Sequence, residues 1–138
     1  VVNVKATLVD GSYHDVDSSE LAFKLAARLA YRAGMEQANP VIMEPWISVE
    51  VNCPEPQMGD ILGDLNRRRG RISNIEPKGE RSVIHAEAPM AEMGRYATDL
   101  RSMTQGRGLY SSEFARYEIM QDEMAKRVIQ DAERRNAE

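Results

Sequence analysis

Between residues 47 and 117 the hydrophobic period switches from that of a strand to that of a helix and back, twice over. Ile47, Val49 and Val51 alternate with Ser48, Glu50 and Asn52, the pattern of a strand with one buried face. Met58, Ile61, Leu62 and Leu65 then recur at helical spacing, with Asp60, Asp64 and Arg67 opposite. Pro54 suits the first turn of that helix, and Gly70 suits a left-handed cap at its end. Arg71–Pro77 and Arg81–Pro89 read as two strands joined by a turn at Lys78-Gly79-Glu80. A second helical face follows in Met93, Tyr96, Ala97, Leu100 and Met103, broken by Gly106 and Gly108. Leu109–Tyr117 reads as a fourth strand. The order βαββαβ predicts an α+β, ferredoxin-like sandwich over residues 41–118, with two helices on one face of an antiparallel sheet. A tail, 119–138, carries a further helix near Asp122–Arg135, with Met124, Ala125, Val128, Ile129 and Ala132 on one side.

The segment before this unit is built differently. Val1–Val9 alternates and is β-branched, which predicts a strand. Asp10–Asp17 is a polar loop; Asp17 suits an N-cap, with Glu20 placed as in a capping box. The helix should run from about Ser18 to Ala38, ended by Asn39-Pro40. Leu21, Ala22, Leu25, Ala26, Leu29, Ala30 and Ala33 cover a wide apolar arc, leaving Lys24, Arg28 and Arg32 as the polar stripe. Such a helix is expected to be buried on most sides. One strand and one very apolar helix cannot close a domain, so residues 1–40 are expected to pack on the last domain or on a second copy of themselves.

Enzyme chemistry finds no foothold. The sequence has no GxxxxGK[ST] phosphate loop. His14, His85 and the single cysteine, Cys53, lie far apart and give neither a metal-ligand spacing nor a nucleophile–base pair. Asp60 and Asp64 share a helical face, which reads as solvated surface. No catalytic residue, metal or cofactor is assigned to the chain. One cysteine excludes an internal disulfide, and no apolar run reaches membrane-spanning length. The net charge of −4 argues against bulk nucleic-acid binding but leaves room for local basic patches. Arg67, Arg68, Arg69 and Arg71 are nearly contiguous, and Arg95, Arg101 and Arg107 cluster later. One cation at a helix C-terminus is favoured by the macrodipole; three in a row exceed what capping needs. The spare arginines are candidates for RNA phosphate contact.

Three stretches carry a resemblance to a known family: DGSYHDVDSSE (Asp10–Glu20), MGDILGDLNRRRG (Met58–Gly70) and ATDLRSMTQGRG (Ala97–Gly108). Their sequence, order and spacing resemble those of the C-terminal part of bacterial elongation factor G, a translational GTPase. The resemblance is close over about residues 1–118 and looser in the tail. It implies that residues 1–40 are the end of the penultimate, ribosomal-protein-like α+β domain, that 41–118 are the last domain, and that the chain is a fragment. It also implies that the tip loop, with Tyr13, His14 and Asp15, enters the decoding site beside transfer RNA and messenger RNA. Arg67, Arg68, Arg69, Arg71, Arg101 and Arg107 would contact ribosomal RNA of the large subunit, and Lys24, Arg28 and Arg32 are possible phosphate contacts. The implied partners are the ribosome and the transfer RNA–messenger RNA pair, with no membrane, in the cytoplasm. GTP and magnesium would belong to an N-terminal domain of the parent protein. Trp46, Pro56, His85 and Gly94 depart from the residues usual in the family, as does the tail after Tyr117, which lacks the usual proline. Trp46 reads as a packing residue, and His85 as lying on the open sheet face. A ribosome-recycling paralogue and a free-standing RNA-binding module of the same topology are the rival readings. The latter needs strand aromatics, and aromatics are only 6% of this sequence.

Overall fold

The computed structural model describes residues 1–137, and the chain divides into two compact units, Val1–Pro40 and Val41–Glu138.

In the second unit four strands and two helices follow the expected order. They are β1 (Met43–Pro54), α2 (Met58–Arg67), β2 (Arg71–Lys78), β3 (Arg81–Pro89), α3 (Tyr96–Thr104) and β4 (Leu109–Ile119), followed by α4 (Asp122–Ala137). The sheet order is β2-β3-β1-β4 and every pairing is antiparallel, as a ferredoxin-like unit requires. Val49 faces Ala86 and Val51 faces Ile84 across the central pair. These side chains, with Ile47, Cys53 and Ala88, form one wall of the core. Ile61 and Leu65 from α2, and Met93, Tyr96 and Leu100 at and before α3, close the other. The helical stripes read from the sequence are therefore core faces, with two adjustments. Ala97 is exposed, and Thr104 takes a fully buried place that hydrophobic spacing does not mark. Thr104 is tolerated there because its hydroxyl donates to the Leu100 carbonyl and accepts from the Gly108 N–H.

The helix ends correct the glycine reading. The left-handed residue after α2 is Arg69, at φ 61°, not Gly70. The Gly70 N–H bonds the Leu65 carbonyl and the Arg69 N–H bonds that of Asn66, a Schellman pattern with an arginine in the place glycine usually fills. Gly70 is required for a different reason: a Cβ there would lie 2.7 Å from the Leu65 carbonyl oxygen. The end of α3 repeats the pattern, with Gln105 left-handed at φ 52° and the Gly106 N–H on the Arg101 carbonyl. Other boundaries shift slightly. A short 3-10 turn, Glu55–Gln57, lies between Pro54 and α2. The hairpin turn narrows to Gly79-Glu80, and β4 runs on to Ile119.

The first unit departs more. Val1–Val9 forms no strand, because residues 1–40 contain no second extended segment to satisfy its backbone. Helix α1 spans Glu20–Gln37, and its N-cap is Ser19, not Asp17: the Ser19 hydroxyl accepts the Ala22 N–H. None of its residues is buried; Leu21 and Leu29 are 67% exposed and Leu25 50%. The wide apolar arc is present as read, but the structure leaves it uncovered.

Leu65 sits at the centre of the second unit's core with no exposed surface. Leu65→Ala should cost ~2–5 kcal/mol in denaturant unfolding of the chain. A loss under ~0.5 kcal/mol would contradict this core assignment.

Candidate nucleic-acid interface

The loop Asp10–Ser19 is held by main-chain groups together with short polar side chains. The His14 N–H donates to the Ser18 hydroxyl oxygen at 2.8 Å, and the His14 carbonyl accepts the N–H groups of Asp17 and Ser18 at 3.1 and 2.9 Å. Tyr13, His14 and Asp15 are exposed, and the Tyr13 ring lies nearly parallel to that of Phe23 on α1, 6.4 Å away. The His14 imidazole has no bonded partner among the described residues, so its ring nitrogens are open to an incoming group. On α1, Lys24 pairs with Glu20, while Arg28 and Arg32 are exposed on the same stripe.

The arginine run of the second unit splits in two. Arg68 points inward across α2 and α3. It bonds Asp64, Asp99 and the Glu92 carbonyl, and its guanidinium lies 5.1 Å from the centre of the Tyr96 ring. Burial works against its charge, but the hydrogen bonds to Asp64 and Asp99 prevail and hold its pKa above the ordinary value. Arg69 forms two parallel hydrogen bonds to Glu44, at 2.9 and 2.8 Å, and Glu44 is only 4% exposed. These bonds raise the Arg69 pKa, with Glu92 adding to the effect and burial opposing it. Arg67, by contrast, is 77% exposed, with Asp64 at 3.5 Å. Arg71 is 57% exposed; it bonds Glu118 and lies over the Trp46 ring at 4.1 Å. Arg101 and Arg107 are exposed. The only side-chain bond of Arg107 among the described residues is a long one, 3.4 Å, to the Thr104 carbonyl.

The sheet face turned away from the helices is polar. His85 lies there as its alternation predicts, between Glu50 and Glu76 at 3.8 and 3.4 Å. Arg116 binds Glu87 with both terminal nitrogens and also holds Glu118, which ties β4 to β3 and, through Arg71, to β2. Those bonds keep the Glu87 and Glu118 carboxyls below their usual range. Trp46 is 3% exposed, so it is a packing residue and not a platform for a base. Cys53 is fully buried and burial pushes its thiol up, which makes it inert.

Asp64 is also not the solvated carboxylate its helical position suggests: its side chain is 14% exposed and paired with Arg68. The spacing of Asp64 and Arg68, four residues apart on a helix, signals that contact. The carboxylates at Glu44, Glu92 and Asp99 have no comparable signal, because the fold brings them to the arginines from distant parts of the chain. Among the described residues no group of three His, Cys, Asp or Glu side chains could hold a metal ion. No described helix is long and apolar enough to cross a membrane.

Two family matches divide the chain where the structure does. Residues 1–39 match elongation factor G domain IV, and residues 41–128 match the elongation factor G C-terminus. A crystal structure of a protein from Thermus thermophilus is similar to this chain at a TM-score of 0.78 and 45% identity. That match covers 88% of this chain and 18% of the other, so the chain spans under a fifth of that protein's length. With both units assigned in order and the larger match spanning more than half of its residues, the chain belongs to the elongation factor G family.

Proposed function

We propose that the chain is the recognition end of a GTP-dependent ribosomal translocase, moving transfer RNA and messenger RNA during protein-synthesis elongation. The observation that carries this is the His14 loop. It lies in the part matched to domain IV, is held through its main chain and the Ser18 hydroxyl, and presents an imidazole with nothing bonded to it among the described residues. Residues 1–40 would supply the decoding-site tip, 41–118 the domain that docks on the large subunit, and 119–138 a helical tail. GTP and magnesium would bind an N-terminal domain of the parent, in the cytoplasm. The exposed apolar arc of α1 fits burial against further parts of the parent; in the isolated chain it would drive self-association through residues 1–40.

Tyr13, His14 and Asp15 are assigned to the transfer RNA side. His14 acts by hydrogen bonding or stacking, not as a general acid or base, since the movement breaks no covalent bond there. For ribosomal RNA the exposed members of the arginine set, Arg67, Arg71, Arg101 and Arg107, are assigned to phosphates. Arg68 and Arg69, already held by carboxylates, are assigned to shaping the surface around them. Lys24, Arg28 and Arg32 offer a further phosphate-sized stripe on α1.

In the full-length protein His14→Ala should slow single-round translocation about tenfold, the equivalent of one missing hydrogen bond worth ~1.4 kcal/mol, while ribosome-stimulated GTP hydrolysis stays near normal. Equal loss of both, or loss of neither, would overturn the assignment of His14.

Replacing Arg67, Arg71, Arg101 and Arg107 with Gln should weaken ribosome binding and flatten its salt dependence by about one unit of log–log slope for each phosphate no longer neutralised. An unchanged slope would remove these residues from the RNA interface.

A further inference from the structure

Resting on the reading of His14 given above, we infer that Ser18 is the positioning residue of the tip loop: its hydroxyl sets the direction in which the His14 imidazole projects. Among the described residues, the hydrogen bonds of His14 are all made by its main chain. Its N–H ends on the Ser18 hydroxyl and its carbonyl takes the Ser18 and Asp17 N–H groups. Ser18 thus grips both polar groups of the His14 peptide backbone, one with its side chain and one with its own N–H. A residue gripped on both sides of its α-carbon has little freedom left in φ and ψ, so its Cα–Cβ direction is fixed while the ring stays free. Ser18 is itself the least exposed residue of the loop, half-buried where its neighbours are open. It passes directly into Ser19, the cap of α1, so the grip is anchored to the helix and not to another part of the loop. The Tyr13–Phe23 ring pair provides a second attachment on the other side of His14. The two serines divide the work: Ser19 starts the helix, and Ser18 aims the histidine.

The hydroxyl can be separated from side-chain bulk by three variants in the full-length protein. Ser18→Thr keeps it, while Ser18→Val and Ser18→Ala remove it. Hydrogen exchange at the His14 amide, read by mass spectrometry at single-residue resolution, should quicken about three- to tenfold in Ser18→Ala and Ser18→Val and not in Ser18→Thr. Exchange along α1 should stay as it was, because Ser19 still caps it. Translocation should slow in the same two variants, recover in Ser18→Thr, and show no further loss when Ser18→Ala is added to His14→Ala. Unchanged His14 exchange in Ser18→Ala would overturn the grip, whatever translocation does. Faster exchange with unaltered translocation, or a full additional loss on the His14→Ala background, would overturn the positioning role. If His14→Ala alone leaves translocation intact, the functional reading of His14 fails. The exchange measurement then still decides whether Ser18 holds the loop.

Discussion

The pair Arg69–Glu44 fixes the corner on which the second unit turns. Arg69 sits in the left-handed conformation that ends α2, a backbone state that costs a non-glycine residue roughly 1–2 kcal/mol. Its guanidinium is at the same time clamped by both oxygens of Glu44, a carboxylate at the start of β1 and almost wholly buried. The left-handed turn and the ion pair thus meet at one residue, which joins the end of α2 to the start of β1. Gly70 then allows the chain to pass against the Leu65 carbonyl and enter β2. Because one partner is buried, breaking the pair leaves an uncompensated charge, far costlier than losing a surface salt bridge.

This constraint decides what the rest of the arginine run can do. Arg68, one residue earlier, falls on the inner side and ties α2 to α3 through Asp64, Asp99 and the Glu92 carbonyl. Arg67 and Arg71 fall outward. A basic run that looks uniform in sequence is thus two inward cations acting as cement and two more exposed ones, of which Arg71 also binds Glu118 and covers Trp46. The Arg71–Glu118–Arg116–Glu87 chain does similar work on the open sheet face, linking both edge strands to β3 with groups that alternation alone marks as solvent-facing.

Within the second unit, hydrophobic periodicity is a good guide to the core, whereas in residues 1–40 neither the alternation of Val1–Val9 nor the apolar arc of α1 corresponds to buried structure. Ile47, Val49 and Val51, Ile61 and Leu65, and Tyr96 and Leu100 all occupy the core faces their spacing implies. Reading from sequence fails where a contact distant in sequence competes with a local rule. Glycine is the usual left-handed residue, yet Arg69 and Gln105 take that place at the ends of α2 and α3. Asp17 offers a plausible cap, but Ser19 stands at the true first turn. Val1–Val9 has a strand's pattern and no partner strand within residues 1–40. At the candidate site the His14 loop is marked by its motif and the basic clusters by composition. The division of the arginines is legible only at Arg68, through its i,i+4 spacing to Asp64; the other carboxylates that set it, Glu44 and Asp99, lie 25 and 31 residues from their arginines.

The most direct measurement of this account is a double-mutant cycle on Arg69 and Glu44, read by equilibrium denaturant unfolding. Arg69→Gln and Glu44→Gln should each destabilise by several kcal/mol, about 3–5 if the pair behaves as fully buried. The double variant should lose markedly less than the two single losses together, with a coupling of at least ~1 kcal/mol. Additive losses would mean that the two side chains stabilise the unit independently. The corner would then be held by the backbone turn alone, and Arg69 would be free to serve the outer surface with Arg67.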